Sequence, residues 1–206
     1  MATLFVDKLD PQSGTSLEIG SSGDTITIPS GATLTNNGTA TGFGGITNAQ
    51  SFQITSDAAI SGTGYLSSNW AVNSGGGVST YSNKGTLVSQ SSGTFSMSAT
   101  GYYFISYTVN SNFTVVGSQD TGTWDIIGTS NNSTYASISQ GWESYDYAEH
   151  RTNCTTLNVL FNCNDTSNDK VRFGYGEGNG HDGITVYGNA TTPRTSATFI
   201  RLGDSE

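Results

Sequence analysis

The chain has 206 residues and a formal net charge of −9 at pH 7, with 7 Lys and Arg against 16 Asp and Glu. So few cations exclude a broad basic surface for phosphate contacts, and we expect no nucleic-acid partner. About half of the residues are Ser, Thr, Asn or Gly, while strong helix formers are few, which predicts an all-β fold. This length suits one β-sandwich and a small appendage.

Residues 1–45 form a first segment of short β-prone pieces separated by Ser, Gly and Asn turns. The pieces are residues 4–6, 17–19, 24–31 and 32–34. Each offers two or three apolar side chains, too few to offset the entropy of ordering an isolated strand. We therefore expect this β-rich segment to fold against copies of itself around a threefold axis, or against another protein. Its start contains neither a signal-peptide pattern nor a membrane span, so we expect synthesis in a cytoplasm and no membrane insertion.

Residues 4–15 (LFVDKLDPQSGT), 17–20 (LEIG) and 25–32 (TITIPSGA) resemble the N-terminal segments of tail-fibre-like and other virion proteins of marine bacteriophages. The resemblance covers the first fifth of the chain. It implies a location in the virion, with residues 1–45 attached to other virion proteins of the tail or the capsid. It implies no chemistry.

From about Thr47 onward, longer alternating strands separated by turns predict a two-sheet antiparallel jelly roll. The predicted strands are residues 51–55, 86–88, 93–97, 102–109, 123–128, 134–138, 155–161, 170–175, 184–187 and 197–202. A total of about eight to ten strands suits this architecture. Residues 102–109 carry apolar side chains on both faces, which predicts a central strand.

The run GTFSMSATGYYFISY at residues 93–107, together with SATFIRL at 196–202, resembles C1q/TNF-like jelly-roll heads. The match extends over roughly residues 47 to 203, and it gives a head domain of residues 46–206. It implies a compact homotrimer that binds through exposed loops, with aromatic residues in the core and near the threefold axis. These aromatic residues are Tyr102, Tyr103, Phe104 and Tyr107. Residues 154–167 depart from the family's usual Ala-Gly-Asp turn.

The two cysteines, Cys154 and Cys163, are predicted to be reduced while the protein folds in a cytoplasm. Nine residues along one straight strand span about 30 Å, whereas a disulfide needs Cα atoms within about 7 Å. Only a hairpin between them would permit a bridge. Because Leu157, Val159 and Phe161 share the parity of Cys163, we interpret Cys163 as a small core residue.

Sites for catalysis are few, since the two histidines fit no metal-binding motif and no Gly-x-Ser-x-Gly elbow occurs. We expect no enzyme. One acidic and aromatic cluster is a candidate ligand site: Trp142, Glu143, Tyr145, Asp146 and Tyr147. Such a cluster can line a sugar cleft with paired carboxylates, or its exposed aromatic side chains can contact a ligand. The alternative is a solvated loop with one or two aromatic anchors.

A glycine-rich stretch at residues 174–183 is the second candidate site. Glu177, Asn179 and Asp182 supply oxygen atoms that could hold a hard cation such as Ca²⁺. Their spacing is not that of an EF-hand, and the alternative is a polar turn between strands. No other cofactor is predicted.

These observations lead to a functional hypothesis of a phage virion structural protein. It would be a trimeric fibre or spike whose N-terminus attaches to the particle and whose jelly-roll head contributes to host-surface glycan binding. The first alternative is a capsid decoration (head fibre) protein without a receptor role. The second is a glycan depolymerase centred on Glu143.

Overall fold

The computed structural model describes residues 9–35, 46, 48–73, 83–115, 120–145, 151–177 and 181–204. The chain divides into two compact units, Met1–Phe43 and Gly44–Glu206. No helix in the described ranges has the length and apolar character needed to cross a membrane.

In the first unit, residues 9–35 contain turns and bends but no strand. This differs from the β-rich structure that the alternating pattern predicts. The apolar side chains of the predicted pieces are exposed: Leu17, Ile19, Ile26, Ile28 and Leu34. The physical reason is that each piece has too few apolar side chains to hold a strand within one chain.

The described residues of the second unit form thirteen strands. In chain order they are β1 (Ala49–Ile54), β2 (Ala58–Ile60), β3 (Gly64–Tyr65), β4 (Trp70–Val72), β5 (Val88–Ser91), β6 (Thr94–Met97), β7 (Gly101–Val115), β8 (Asp120–Thr129), β9 (Ala136–Tyr145), β10 (Arg151–Cys163), β11 (Lys170–Glu177), β12 (His181–Val186) and β13 (Ser196–Gly203).

The strands form two antiparallel sheets. Sheet A has the order β2-β12-β7-β13-β1-β4, and β10 also pairs with β7. Sheet B has the order β5-β6-β11-β8-β9, and β3 also pairs with β11. The predicted two-sheet antiparallel jelly roll is confirmed. The three strands beyond the ten predicted are the short β2, β3 and β4, which have three, two and three residues.

Strand β7 lies at the centre of sheet A. It pairs with β10 along one edge and with β12 and β13 along the other. Every second side chain from Tyr103 to Val109 has no exposed surface and points between the sheets. The prediction of a central strand at residues 102–109 is therefore confirmed, although the strand itself is longer.

Phe95 on β6 joins the inner faces of the two sheets. Its ring centroid lies 5.1 Å from Phe52, 5.2 Å from Trp70, 5.0 Å from Phe173 and 5.4 Å from Phe199. Phe52 and Phe199 belong to sheet A, whereas Phe173 belongs to sheet B. One buried ring thus contacts aromatic partners from both layers of the sandwich.

Both cysteines are free and lie at distant positions of β10. Cys154 is exposed and pairs with Asn110, whereas Cys163 is buried and pairs with Gly101. Burial raises the pKa of the Cys163 thiol to about 11, so the thiol stays protonated at neutral pH. The prediction that Cys163 is a core residue is confirmed.

Candidate functional site

Successive side chains of β9 point to opposite faces of sheet B, so the members of the acidic and aromatic cluster lie on different faces. Trp142 is 69% exposed on the outer face of sheet B, whereas Glu143 is only 7% exposed. Glu143 accepts a hydrogen bond from the Thr155 hydroxyl on β10. The pKa of the Tyr107 phenol is raised well above its usual value by burial, and further by the charges of Glu143 and Asp125. Glu143 therefore lies inside the sandwich, away from the surface that carries Trp142.

A chain of hydrogen bonds holds the exposed indole of Trp142 in place. Its Nε1 donates to Gln140 Oε1 at 2.9 Å, and Gln140 Nε2 donates to Asp125 Oδ1 at 2.9 Å. The Ser137 hydroxyl donates to the same Asp125 oxygen at 2.6 Å. An exposed indole of fixed orientation offers a flat apolar face beside polar groups, which suits stacking against a sugar ring.

The remaining members of the cluster lie largely outside the described residues. Tyr145 ends β9, but only its backbone is described, and Asp146 and Tyr147 lie beyond the described range. Their participation in a ligand site stays a prediction.

The candidate calcium ligands also fall mostly outside the described part of the chain. Glu177 ends β11 and Asp182 lies in β12, with the backbone alone described, and Asn179 is not described. Within the described residues, no group of three or more His, Cys, Asp and Glu side chains is placed to hold a metal ion. A Ca²⁺ site at these three residues stays a prediction.

The four aromatic residues predicted for the core or the trimer axis separate into two pairs. Tyr103 and Tyr107 are buried between the sheets. Tyr102 is 38% exposed and Phe104 is half-buried, both on the outer face of sheet A. This alternation leaves one pair for the core and one pair for an outer contact.

Phe104 is the middle member of an apolar row on this outer face. Leu160 of β10 and Ile200 of β13 pair with it directly from either side. Leu160 is 68% exposed, and Tyr102 and Leu202 are exposed beside the row. We call Leu160, Phe104 and Ile200 the apolar row.

Two further arrangements were not predicted from the sequence. The Arg172 guanidinium carbon lies 4.4 Å from the ring centre of Tyr65 and 3.7 Å from that of Tyr135. A cavity of about 390 Å³ is lined by residues from β7, β10 and the segment after β12, namely Asn110, Thr152, Tyr187, Pro193 and Arg194. Both combine residues from distant parts of the chain, so no local motif signals them.

No family model and no curated protein matches this chain. Among solved structures, the Eiger TNF from S. frugiperda is 16% identical with a TM-score of 0.54, and the match covers 77% of this chain and 94% of that chain. Murine APRIL at pH 8.5 and at pH 5.0 is 12% and 10% identical, with TM-scores of 0.50 and 0.51. Each APRIL match covers 75% of this chain and 98% of that chain. The fold is therefore a TNF-like jelly roll.

Proposed function

We propose that the chain is a virion structural protein whose jelly-roll unit assembles as a homotrimer. Residues 1–45 attach it to the particle, and the head contributes to binding of host-surface glycans. The observation that carries the proposal is the apolar row on the outer face of sheet A.

The apolar row has the properties of a subunit contact. Leu160, Phe104 and Ile200 lie side by side on three adjacent strands, and they continue into exposed Tyr102 and Leu202. Contiguous exposed apolar patches on soluble proteins usually mark interaction sites. Residues close to a threefold axis meet their own copies, so an apolar patch centred on that axis would take part in the contacts among all three subunits. The resemblance of residues 93–107 to homotrimeric heads supports the same assembly.

The first unit supports the attachment role. The apolar side chains of residues 9–35 are exposed in the single chain, which suits a segment that gains its partners from another protein or from other copies. The resemblance of residues 4–32 to N-terminal segments of virion proteins supplies the proposed location.

The chemistry of the outer surface supports binding rather than catalysis. Trp142 is exposed and oriented by Gln140, but Glu143 beside it in sequence is buried. A paired-carboxylate mechanism needs two carboxyl groups on either side of the substrate, and Glu143 does not share the surface of Trp142. A trimeric head on a particle multiplies weak glycan contacts, so avidity replaces high affinity at one site.

The solution mass tests the assembly. We expect trimers from size-exclusion chromatography with light scattering, both for the full chain and for residues 47–206, because the apolar row lies in the head. If the shorter protein is a stable monomer, the trimeric head is wrong, and a capsid-docked decoration protein or a single glycan-binding module becomes the better interpretation.

Replacing Trp142 by Ala is expected to abolish glycan contact without unfolding the head. Trp70 and Trp124 are buried, so iodide should quench chiefly the Trp142 fluorescence. We expect a soluble polysaccharide ligand, selected from a panel that includes dextran and mannan, to protect this fluorescence from iodide. The Trp142→Ala protein should lose binding to that polysaccharide and, on the particle, adsorption to host cells.

Tyr135→Ala is the control, since it removes a half-buried aromatic ring that directly precedes β9 and lies against Arg172. It should keep polysaccharide binding. Unchanged host adsorption by a folded Trp142→Ala protein would show that Trp142 is not part of the glycan site. It would not bear on the proposed trimer.

A further inference from the structure

The cavity lined by Asn110 and Arg194 is separate from the apolar row and from Trp142. Asn110 and Thr152 lie on the outer face of sheet A, at one end of the paired strands β7 and β10. Six residues separate Phe104 from Asn110 along β7, which is about 20 Å at 3.4 Å per residue. The cavity volume of about 390 Å³ is within the range of small-molecule sites.

Both walls of the cavity are tied to the same residue of the central strand. The Tyr187 amide donates to the Asn110 carbonyl at 2.8 Å. The Asn110 side-chain amide donates to the Arg194 carbonyl. The buried Thr195 hydroxyl accepts from the Asn110 amide at 3.1 Å and donates to its carbonyl at 3.3 Å. Tyr187 and Arg194 are thus held at a fixed separation before any ligand arrives.

The segment between these two walls is also fixed. Asn189 Oδ1 accepts from the Thr191 amide at 2.8 Å, the Thr191 hydroxyl at 2.8 Å and the Thr192 amide at 2.9 Å. Gln53 Nε2 donates to the Ala190 carbonyl at 2.8 Å. A loop with this many internal and external bonds loses little further entropy when it binds a ligand.

Arg194 differs from the other cationic side chains that the structure describes. Lys84, Lys170 and Arg201 donate to backbone carbonyls, and Arg172 donates to a hydroxyl. The Arg194 guanidinium carbon lies 5.7 Å from the ring centre of Tyr187. Within the described ranges it has no carboxylate or carbonyl partner, and it faces a cavity in a chain of net charge −9.

We propose that this cavity binds an acidic sugar, meaning a pyranose ring that carries a carboxylate or a sulfate ester. The planar guanidinium of Arg194 binds an oxyanion through two parallel hydrogen bonds. The rings of Tyr187 and Pro193 pack against the apolar face of the sugar. Thr152 and Asn110 line the same cavity and supply polar groups for sugar hydroxyls. The proposal does not depend on the trimer or on Trp142.

The test uses the full chain and three ligands that differ at one carbon: D-glucuronate, glucose 6-sulfate and D-glucose. Backbone amide NMR signals of Tyr187 and Arg194 should shift in a saturable way with an anionic ligand. Because a charge-assisted bidentate contact is lost with glucose, we expect its binding to be weaker by about tenfold or more. The ratio of glucuronate to glucose 6-sulfate affinity tells whether the carboxylate or the sulfate ester is the preferred oxyanion.

Arg194→Gln should weaken binding of the anionic sugars by about tenfold or more. Lys84→Gln makes the same charge change at an exposed residue elsewhere and should leave binding unchanged. Arg194→Lys keeps the charge but not the planar guanidinium, so it should bind the anionic sugars with intermediate affinity. If the Gln variant does not fold, the Lys variant provides the test. Equal binding of glucose and glucuronate, undiminished binding by folded Arg194→Gln, or no binding of either anionic sugar would overturn the proposal.

Discussion

Replacing Leu160 by Asp is expected to convert the proposed trimer into a folded monomer. Leu160 is 68% exposed within one chain, so the carboxylate remains solvated in the monomer and the core is unchanged. In the trimer, three carboxylates would be buried together near the axis, and each buried unpaired charge costs several kcal/mol. Light scattering should report one-third of the original mass, with an unchanged circular dichroism spectrum.

Val72→Asp is the control for this experiment. Val72 is also an exposed apolar residue, 48% exposed, but it lies on β4 at the far end of sheet A, three strands from β7. We expect this variant to remain trimeric. If Leu160→Asp is also trimeric, the apolar row is not the subunit contact, and the interface has to lie on another face of the head.

The largest loss of stability is expected for Phe95→Ala. Phe95 has no exposed surface and contacts four aromatic rings from both sheets. Removing a buried Phe side chain leaves a cavity and typically lowers the free energy of unfolding by about 3–5 kcal/mol. Urea unfolding followed by tryptophan fluorescence measures this loss. Because assembly couples stability to concentration, both proteins are compared at one fixed concentration.

Phe95→Leu distinguishes packing volume from aromatic contacts. It retains much of the apolar volume but removes the ring, so we expect a loss clearly smaller than that of Phe95→Ala. It also yields a measurable protein if the Ala variant is unfolded. A loss below about 1 kcal/mol for Phe95→Ala, the level of an ordinary substitution, would contradict the role of this ring in joining the sheets.

The long strands were predictable because alternation of apolar and polar side chains persists over many residues. Residues 102–109, 155–161 and 197–202 each lie within the strand that the structure assigns, β7, β10 and β13. The strands β2, β3 and β4 have at most three residues, too few to show a period. They form by pairing with β12, β11 and β1, and these pairings connect positions distant in sequence.

The candidate site was predictable in composition but not in geometry. The predicted strand ended at residue 138, which left Trp142 and Glu143 in a loop, whereas β9 continues to Tyr145. Gly141 and Glu143 have low β-propensity, and pairing with β8 overrides it. Once the strand includes them, alternation alone places Trp142 outside and Glu143 inside. The apolar row forms only because the register of β10, β7 and β13 aligns its three residues, and the sequence pattern does not reveal which residues of different strands pair.

Within the described residues, β10 pairs only with β7, so its other edge is unpaired. An edge strand presents unpaired amides and carbonyls to any other β-strand, and natural proteins blunt such edges with Lys, Pro or inward-pointing charges. Residues 152–163 of β10 contain no charged residue and no proline. Protection of this edge has to come from outside the strand, so we expect a single chain to be prone to strand-to-strand aggregation and the proposed assembly to suppress it.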